Sequence, residues 1–259
     1  MIPINLKSKE AQYIKLLIYG ASGTGKTMSI KTLPTKGTLI LSTEPQTPIR
    51  LSGTEYECLE IESWDDVYYN IYEMLLKDDL EDKPEYRIVV IDSITMLANM
   101  SINQIITKDR MAVRGTTKVK GTFEEVPTLP EYGLSGIRWV NFFTKFTNLK
   151  KHIIMIALEQ EKQDNEGVIF YAPDITGKKL PLNLGGFFTE VFRLTAQPKD
   201  NDFTNTFTCK KMHNTITKGH ENLNTFETGL NGTVDLKLIV KKIFGDQKPK
   251  ETKNKDKEK

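Results

Sequence analysis

Cysteine and histidine are scarce in this chain of 259 residues, with two of the first and three of the second. Cys58 and Cys209 form no CxxC pair and no disulfide framework, so they read as packed thiols in a reducing compartment. His152, His213 and His220 are too scattered for a metal site, and His152 reads as a strand-edge residue. Long apolar runs are missing too. Ile153 to Leu158 is among the longest, far short of the ~20 residues that cross a bilayer. Met1 to Lys7 carries no secretory h-region before charge resumes, so the expectation is a cytoplasmic protein with no membrane partner. Net charge is only +2, and the segment from Asp246 to Lys259, with six lysines and four acids, accounts for all of it. Any nucleic-acid surface must therefore be a local patch and not a global basic field.

What is present suits a globular protein. Apolar residues make up 38% and charged residues 27%, enough for a sizeable core in one large α/β domain. The expected division is a domain over 1–245 and a disordered lysine-rich tail over 246–259. The most specific stretch is Gly20-Ala21-Ser22-Gly23-Thr24-Gly25-Lys26-Thr27, which fits G-x-x-x-x-G-K-[ST] at every fixed position. An apolar strand, Tyr13 to Tyr19, leads in, and a helix can open at Lys26. Glycines let backbone N–H groups turn toward phosphate oxygens, and the helix N-terminus adds a positive dipole end. Lys26 is expected at the β- and γ-phosphates of ATP, with the Thr27 hydroxyl on Mg²⁺.

Further along, Thr38–Thr43, Tyr56–Ile61, Tyr86–Asp92 and Lys151–Leu158 read as strands. Helical patterns lie between them: Ser63 to about Lys77, Ser93 to about Lys108, and Tyr132 to Leu149. Ser63 can cap the first of these, which buries Val67, Ile71 and Leu75. The last shows its pattern through Ile137, Val140, Phe143 and Phe146. Alternating strand and helix predicts a mainly parallel sheet flanked by helices. Val168–Tyr171 reads as a further strand. Val191–Thr195 and Thr204–Cys209 flank a turn-rich segment and predict a C-terminal antiparallel hairpin; Val234–Phe244 predicts a final helix.

Ligands of such sheets sit at the carboxyl ends of the strands. Gly20, Glu44, Asp92 and Glu159-Gln160 are all expected there. Asp92, closing an apolar strand, is the natural Mg²⁺-proximal carboxylate beside the phosphate loop. No acid follows it, since Ser93 stands next, so Glu44 is the candidate general base. Gln160, with Glu159 as its competitor, is the candidate sensor of the γ-phosphate. Between Lys108 and Lys120 lie five basic residues and one acid, a net of 5 − 1 = +4. Arg110, Arg114, Lys118 and Lys120 in that stretch are candidate DNA contacts, with Phe123 and Tyr132 available to stack on bases. Lys178 and Lys179 can contact DNA, reach a neighbouring subunit's phosphate, or simply sit in a solvated turn.

With these residues in view, the chain resembles RecA-type ATPases. More narrowly, it resembles the phage-encoded single-domain ATPases of single-strand annealing and recombination. The resemblance spans about residues 13 to 244. It rests on Gly20–Thr27, Ser42-Thr43-Glu44-Pro45, Ser63-Trp64-Asp65-Asp66, Ile88–Ser93, Tyr132-Gly133, and Thr176-Gly177-Lys178 ahead of Val191–Leu194. It implies a RecA-type P-loop core with Glu44 as catalytic glutamate and Asp92 as the Walker B carboxylate. It also implies ATP-dependent binding of single-stranded DNA by a homo-oligomeric ring or filament, with ATP between subunits, in the host cytoplasm. A single-strand-binding or replication protein is a further possible partner. Ser42 stands where members often carry an acid. Two other readings stay open: a nucleotide-gated adaptor that loads a replication protein, and a small-molecule kinase.

Overall fold

Apolar runs decide the centre of the sheet. The computed structural model describes residues 13–107, 127–163, 166–177, 180–199, 202–209, 215–219, 226–227, 235–236 and 239. Within them, β1 (Lys15–Gly20), β2 (Thr38–Ser42) and β4 (Ile88–Asp92) are the runs expected from sequence, and β1 and β2 are buried throughout. Strands buried on both faces lose the alternation of a half-exposed strand and read as continuous β-branched and aliphatic runs. β3 (Glu57–Glu60) lies at the edge, with both terminal glutamates exposed. β5 (His152–Gln163) is twelve residues long, and β7 (Glu190–Lys199) follows β6 (Ile169–Pro173). β8 (Asp202–Thr208) and β9 (Phe226–Glu227) complete the sheet.

The order is β3-β2-β4-β5-β1-β7-β8-β9, with β6 paired to β5 off this path. Every contact from β3 to β7 is parallel. β7 and β8 form the expected antiparallel hairpin, in register from Arg193↔Thr208 to Lys199↔Asp202. One expectation needs correcting. Glu159-Gln160 does not close β5: the strand runs on and turns back into β6, pairing Glu159 with Pro173 and Gln163 with Ile169. The parallel part of the sheet still ends at Leu158, opposite Gly20.

Two cores cover the two faces. On one, Leu17, Tyr19, Leu41, Val89, Ile91 and Met155 pack under α4 (Ile94–Thr107) and α5 (Leu129–Asn148). The helical segment Asp66–Ile71, wound as a π-helix, and its continuation α3 (Tyr72–Asp78) share that face. Val67, Ile71 and Leu75 are buried there as their spacing requires. Ser63 does cap this segment: its Oγ accepts from the Asp66 N–H at 3.2 Å, while Asp66 Oδ2 accepts from the Ser63 N–H at 2.9 Å. On the other face, Ile18, Ile40, Val90 and Ile156 pack with Ile30 and Leu33, which follow α1 (Lys26–Ser29). Leu236 and Ile239 are buried against this second core; apart from Asp235, the rest of the expected final helix and the tail lie outside the described residues.

Of the stripe expected on α5, Phe143 and Phe146 are buried and Ile137 and Val140 are not. Ile137 and Val140 are 61% and 43% exposed, while Trp139, Phe142, Phe143 and Phe146 are fully buried. Positions 139, 142, 143 and 146 repeat at i, i+3, i+4, i+7 and carry four aromatic rings. That stripe buries far more apolar area than the aliphatic one beside it, so it turns inward. Among the described residues no helix is long and apolar enough to cross a membrane.

Candidate nucleotide site

The phosphate loop leaves β1 at Gly20 and returns into α1 at Lys26. Gly23 and Gly25 hold φ of 82° and 88°, a left-handed backbone that favours glycine. Gly20 is constrained differently: a Cβ there would stand 2.2 Å from the carbonyl oxygen of Leu194. The glycines thus serve the path of the loop, as the motif implied.

Lys26 folds into this loop. Its Nζ donates to the carbonyls of Gly20 at 2.8 Å and Ala21 at 2.7 Å, and the residue is 8% exposed. Burial lowers its pKa to about 8, against the upward pull of Asp92, Glu44 and Glu159. An ammonium held on backbone carbonyls and partly stripped of water is well placed to exchange them for phosphate oxygens.

Asp92 closes β4, two strands from β1, and is 1% exposed. The Thr27 hydroxyl donates to its Oδ2 at 2.8 Å, so the motif threonine and the strand-end carboxylate meet as expected. A second hydroxyl, that of Thr47, donates to the same oxygen at 2.9 Å. Thr47 lies on α2 (Gln46–Arg50), a short helix begun at Pro45 that sequence reading did not supply. Burial pushes the Asp92 carboxyl above the ordinary aspartate range; the Thr27 and Thr47 hydroxyls and Lys26 pull down, and Glu44 pushes up. A buried carboxylate beside a threonine hydroxyl is a hard-oxygen pair suited to a divalent cation. Among the described residues no group of three or more His, Cys, Asp or Glu could hold a metal ion. Two oxygen donors, with phosphate and water to fill the remaining positions, fit Mg²⁺.

Glu44 stands two residues past β2, half-buried. Its Oε1 accepts from the Ser93 hydroxyl at 2.6 Å. Ser93 is held in turn: its N–H donates to Thr43 Oγ1 at 2.8 Å, and its carbonyl accepts from that same hydroxyl at 2.8 Å. The Asp92–Ser93 peptide is cis. Together Gly25, Lys26, Thr27, Glu44, Arg50, Asp92 and Ser93 line one cleft. This is the arrangement that phosphoryl transfer to water requires: cationic and N–H donors for phosphate, a metal-side carboxylate, and a second carboxylate for the nucleophile.

Comparison with known proteins agrees with this geometry: the family described as the AAA domain matches residues 12–225. The chain belongs to the AAA domain family. It is thus a P-loop ATPase by family as well as by site. Among solved structures, a KaiC-like protein from the hyperthermophilic archaeon Pyrococcus horikoshii aligns with this AAA domain at 12% identity and a TM-score of 0.46. The alignment covers 85% of this chain and 87% of the archaeal one. No curated protein matches the sequence.

The remaining candidates fall elsewhere. The Gln160 amide donates to the carbonyl of Pro173 at 2.7 Å, tying β5 to β6, and the residue lines a cleft with Thr95, Tyr132 and Gly177. Its competitor Glu159 lines a cleft with Ala21 to Thr24 of the phosphate loop. Arg110, Arg114, Lys118, Lys120, Lys178 and Lys179 lie outside the described residues. Sequence reasoning missed Thr43, Thr47 and Ser93 as supports of the two carboxylates. The only signal for them was hydroxyl residues clustered next to each strand-end acid.

Proposed function

We propose that this AAA domain is an ATP-hydrolysing, Mg²⁺-dependent protein that binds single-stranded DNA in recombination or annealing, of the kind phages encode. In this reading it works in the cytoplasm as a homo-oligomeric ring or filament with ATP between subunits, alongside a single-strand-binding or replication protein. The observation that carries the hydrolytic part is the Glu44–Ser93 contact of 2.6 Å. It fixes one carboxylate oxygen beside the phosphate cleft and leaves the other for a water molecule. Glu44 takes the proton of that water as the water oxygen bonds to the γ-phosphorus and the bond from that phosphorus to the β–γ bridging oxygen breaks, with ADP as the leaving group. Lys26 with the loop N–H groups receives the charge gathering on the phosphate oxygens. Thr27 and Asp92 are the residues that would hold Mg²⁺, which would supply charge neutralisation on the phosphates when bound.

Support for the DNA part comes from where the basic segments attach. The stretch with a net charge of +4 over Lys108 to Lys120 ends shortly before Pro127, and the Lys178-Lys179 pair directly follows Gly177. Pro127 and Gly177 line one cleft at the rim, with Tyr132 beside them. Basic segments that adjoin, in sequence, two residues of one cleft that also holds an aromatic side chain suit a single-stranded polyanion.

The test is ATP hydrolysis with and without single-stranded DNA. Turnover stimulated by DNA, and abolished in a folded Lys26→Ala variant, is the expected result. Unchanged turnover in that variant would remove the site assignment. Turnover indifferent to DNA, with capture of a replication protein, would replace the recombination reading by the loader. Phosphate appearing on a small-molecule acceptor would replace it by the kinase.

A further inference from the structure

Helix α2 is five residues long, too short to hold its own shape in water, so its place in the fold depends on what it is fastened to. Thr47 is the single residue it buries, at 1% exposure, whereas Ile49 is 72% exposed. The anchor is therefore polar. Thr47 Oγ1 donates to Asp92 Oδ2 at 2.9 Å, the oxygen that also accepts from the Thr27 hydroxyl. A hydroxyl buried this deeply is costly without a partner, and a bond to a carboxylate is among the stronger ones it can make.

The same residue reaches the other carboxylate-bearing residue through its backbone. The Thr47 N–H donates to the Glu44 carbonyl at 3.1 Å, and the Ser42 hydroxyl donates to that carbonyl at 2.8 Å. Thr47 thus touches both acids of the site, Asp92 with its side chain and Glu44 with its main chain. Gln46 and Arg50, on the same short helix, line the nucleotide cleft, so a helix unseated from Asp92 would carry part of the cleft wall with it. Asp92 Oδ2 is therefore shared between two hydroxyls with different attachments. Thr27 belongs to α1, which continues the phosphate loop, and Thr47 belongs to the helix that follows Glu44.

We infer that Thr47 is a positioning residue that makes the general base answer to the metal site. By seating α2 on Asp92 it keeps the Glu44 turn in line, and it does so best when that carboxylate is itself held, as it would be with Thr27 and Asp92 gripping Mg²⁺. A ligand that binds only the seated arrangement raises the free energy of unseating it. Nucleotide loaded with metal should therefore order α2 and the Glu44 turn more than nucleotide alone. The inference rests on the hydrolytic role of Glu44 and not on the DNA reading.

Two measurements test it on wild type, on Thr47→Val, which keeps the shape and loses the donor, and on Thr47→Ser, which keeps the donor. The first is amide hydrogen exchange at Thr47 and Leu51, whose N–H groups bond the carbonyls of Glu44 and Thr47. In wild type, ADP with Mg²⁺ should slow exchange at both amides by about threefold or more relative to ADP with a chelator. Thr47→Ser should keep that slowing, and Thr47→Val should lose it. The second is steady-state turnover. Thr47→Val should lower kcat by about tenfold with KM for ATP within about twofold, while Thr47→Ser stays within about threefold of wild type. Combined with Ser93→Ala, the effect of Thr47→Val should be less than additive, because both substitutions release the same carboxylate. Exchange at these amides that ignores Mg²⁺ in wild-type protein overturns the inference, and does so even if Thr47→Val fails to fold. A folded Thr47→Val protein with wild-type kcat, or one matched by an equal fall in Thr47→Ser, overturns it too. Wild-type turnover in Glu44→Gln would overturn the base and the inference together. Loss of turnover in Glu44→Gln with no effect of Thr47→Val would overturn the inference alone.

Discussion

At Lys26 a single ammonium carries both the loop and the ligand, and its titration should be visible in binding. Burial sets its pKa at about 8 before nucleotide arrives. Phosphate oxygens favour the charged form, so the complex holds the proton to higher pH, and above about 8 binding must take a proton up. ADP affinity should therefore be flat below about pH 7 and fall by up to about tenfold per pH unit above 8. Titrations between pH 6.5 and 9.5 check this, and Lys26→Arg, which stays charged, should lose the slope. Glu44 and Ser93 separate differently. Glu44→Gln should lower turnover by about 10²-fold or more with nucleotide affinity kept, because the base is lost and the cradle is not. Ser93→Ala leaves the carboxylate but frees its Oε1, so a loss nearer tenfold in kcat with unchanged KM is expected. Lys26, Thr27 and Asp92 were legible in sequence because motif spacing and a strand-end acid encode them directly. Ser93 and Thr47 were not, since their roles depend on where two loops cross and not on any spacing along the chain.

For the helices, α5 shows how a strict three-residue spacing drifts around the helix, so that of Ile137, Val140, Phe143 and Phe146 only the last two are buried. Two stripes coexist on it, an aliphatic one through Ile137 and Val140 and an aromatic one through Trp139 and Phe142. Only the second is buried. Trp139 contacts Trp64, Phe142 and Phe143 with ring centroids 5.1–5.3 Å apart, so its loss would open a cavity that rigid neighbours cannot close. Trp139→Ala or Phe142→Ala should cost about 3–5 kcal/mol, and Ile137→Ser or Val140→Ser within about 0.5 kcal/mol. Urea unfolding of the four variants checks the contrast, and equal costs would return α5 to the aliphatic phase. The helix start is encoded more plainly. Thr128 donates its N–H to Glu131 Oε2 at 2.6 Å, a capping box written as T-x-x-E that sequence reading passed over by starting the helix at Tyr132. The overlong β5 was hidden for the opposite reason. Beyond Leu158 its residues are polar and pair with a single neighbour, so the apolar signal stops where the strand does not.

Across the whole molecule, charge is buried at both rims of the sheet, and the rim away from the nucleotide should set how the protein fails in acid. Lys151 Nζ, with its side chain fully buried, meets Asp78 at 2.6 Å and Asp79 at 2.8 Å, while Lys15 Nζ donates to the carbonyls of Leu149 and Lys151 at 2.6 Å each. Next to them His152 accepts the Ile14 N–H on Nδ1 at 3.1 Å, which requires a lone pair there and so opposes protonation at that nitrogen. Burial first, then Lys15 and Arg87, lowers the His152 pKa from 6.5 to about 4. Because the unfolded chain takes the proton first, stability falls as pH drops from 6.5 and levels off below about 4. Asp78 acts in a lower window. Against the upward push of burial, Lys151 and the N–H groups of Glu85 and Tyr86 hold it below 3.8, so its contribution is lost only as pH falls below that value. Between pH 6.5 and 4.5 the imidazole therefore dominates this rim and should cost on the order of 2 kcal/mol. His152→Asn, which keeps an acceptor for Ile14 without a titrating ring, should flatten unfolding free energy over that interval while leaving the steeper loss below pH 3.8 in place. Urea unfolding at half-unit steps distinguishes the two windows, and an unchanged slope in the variant would move the acid response away from this rim.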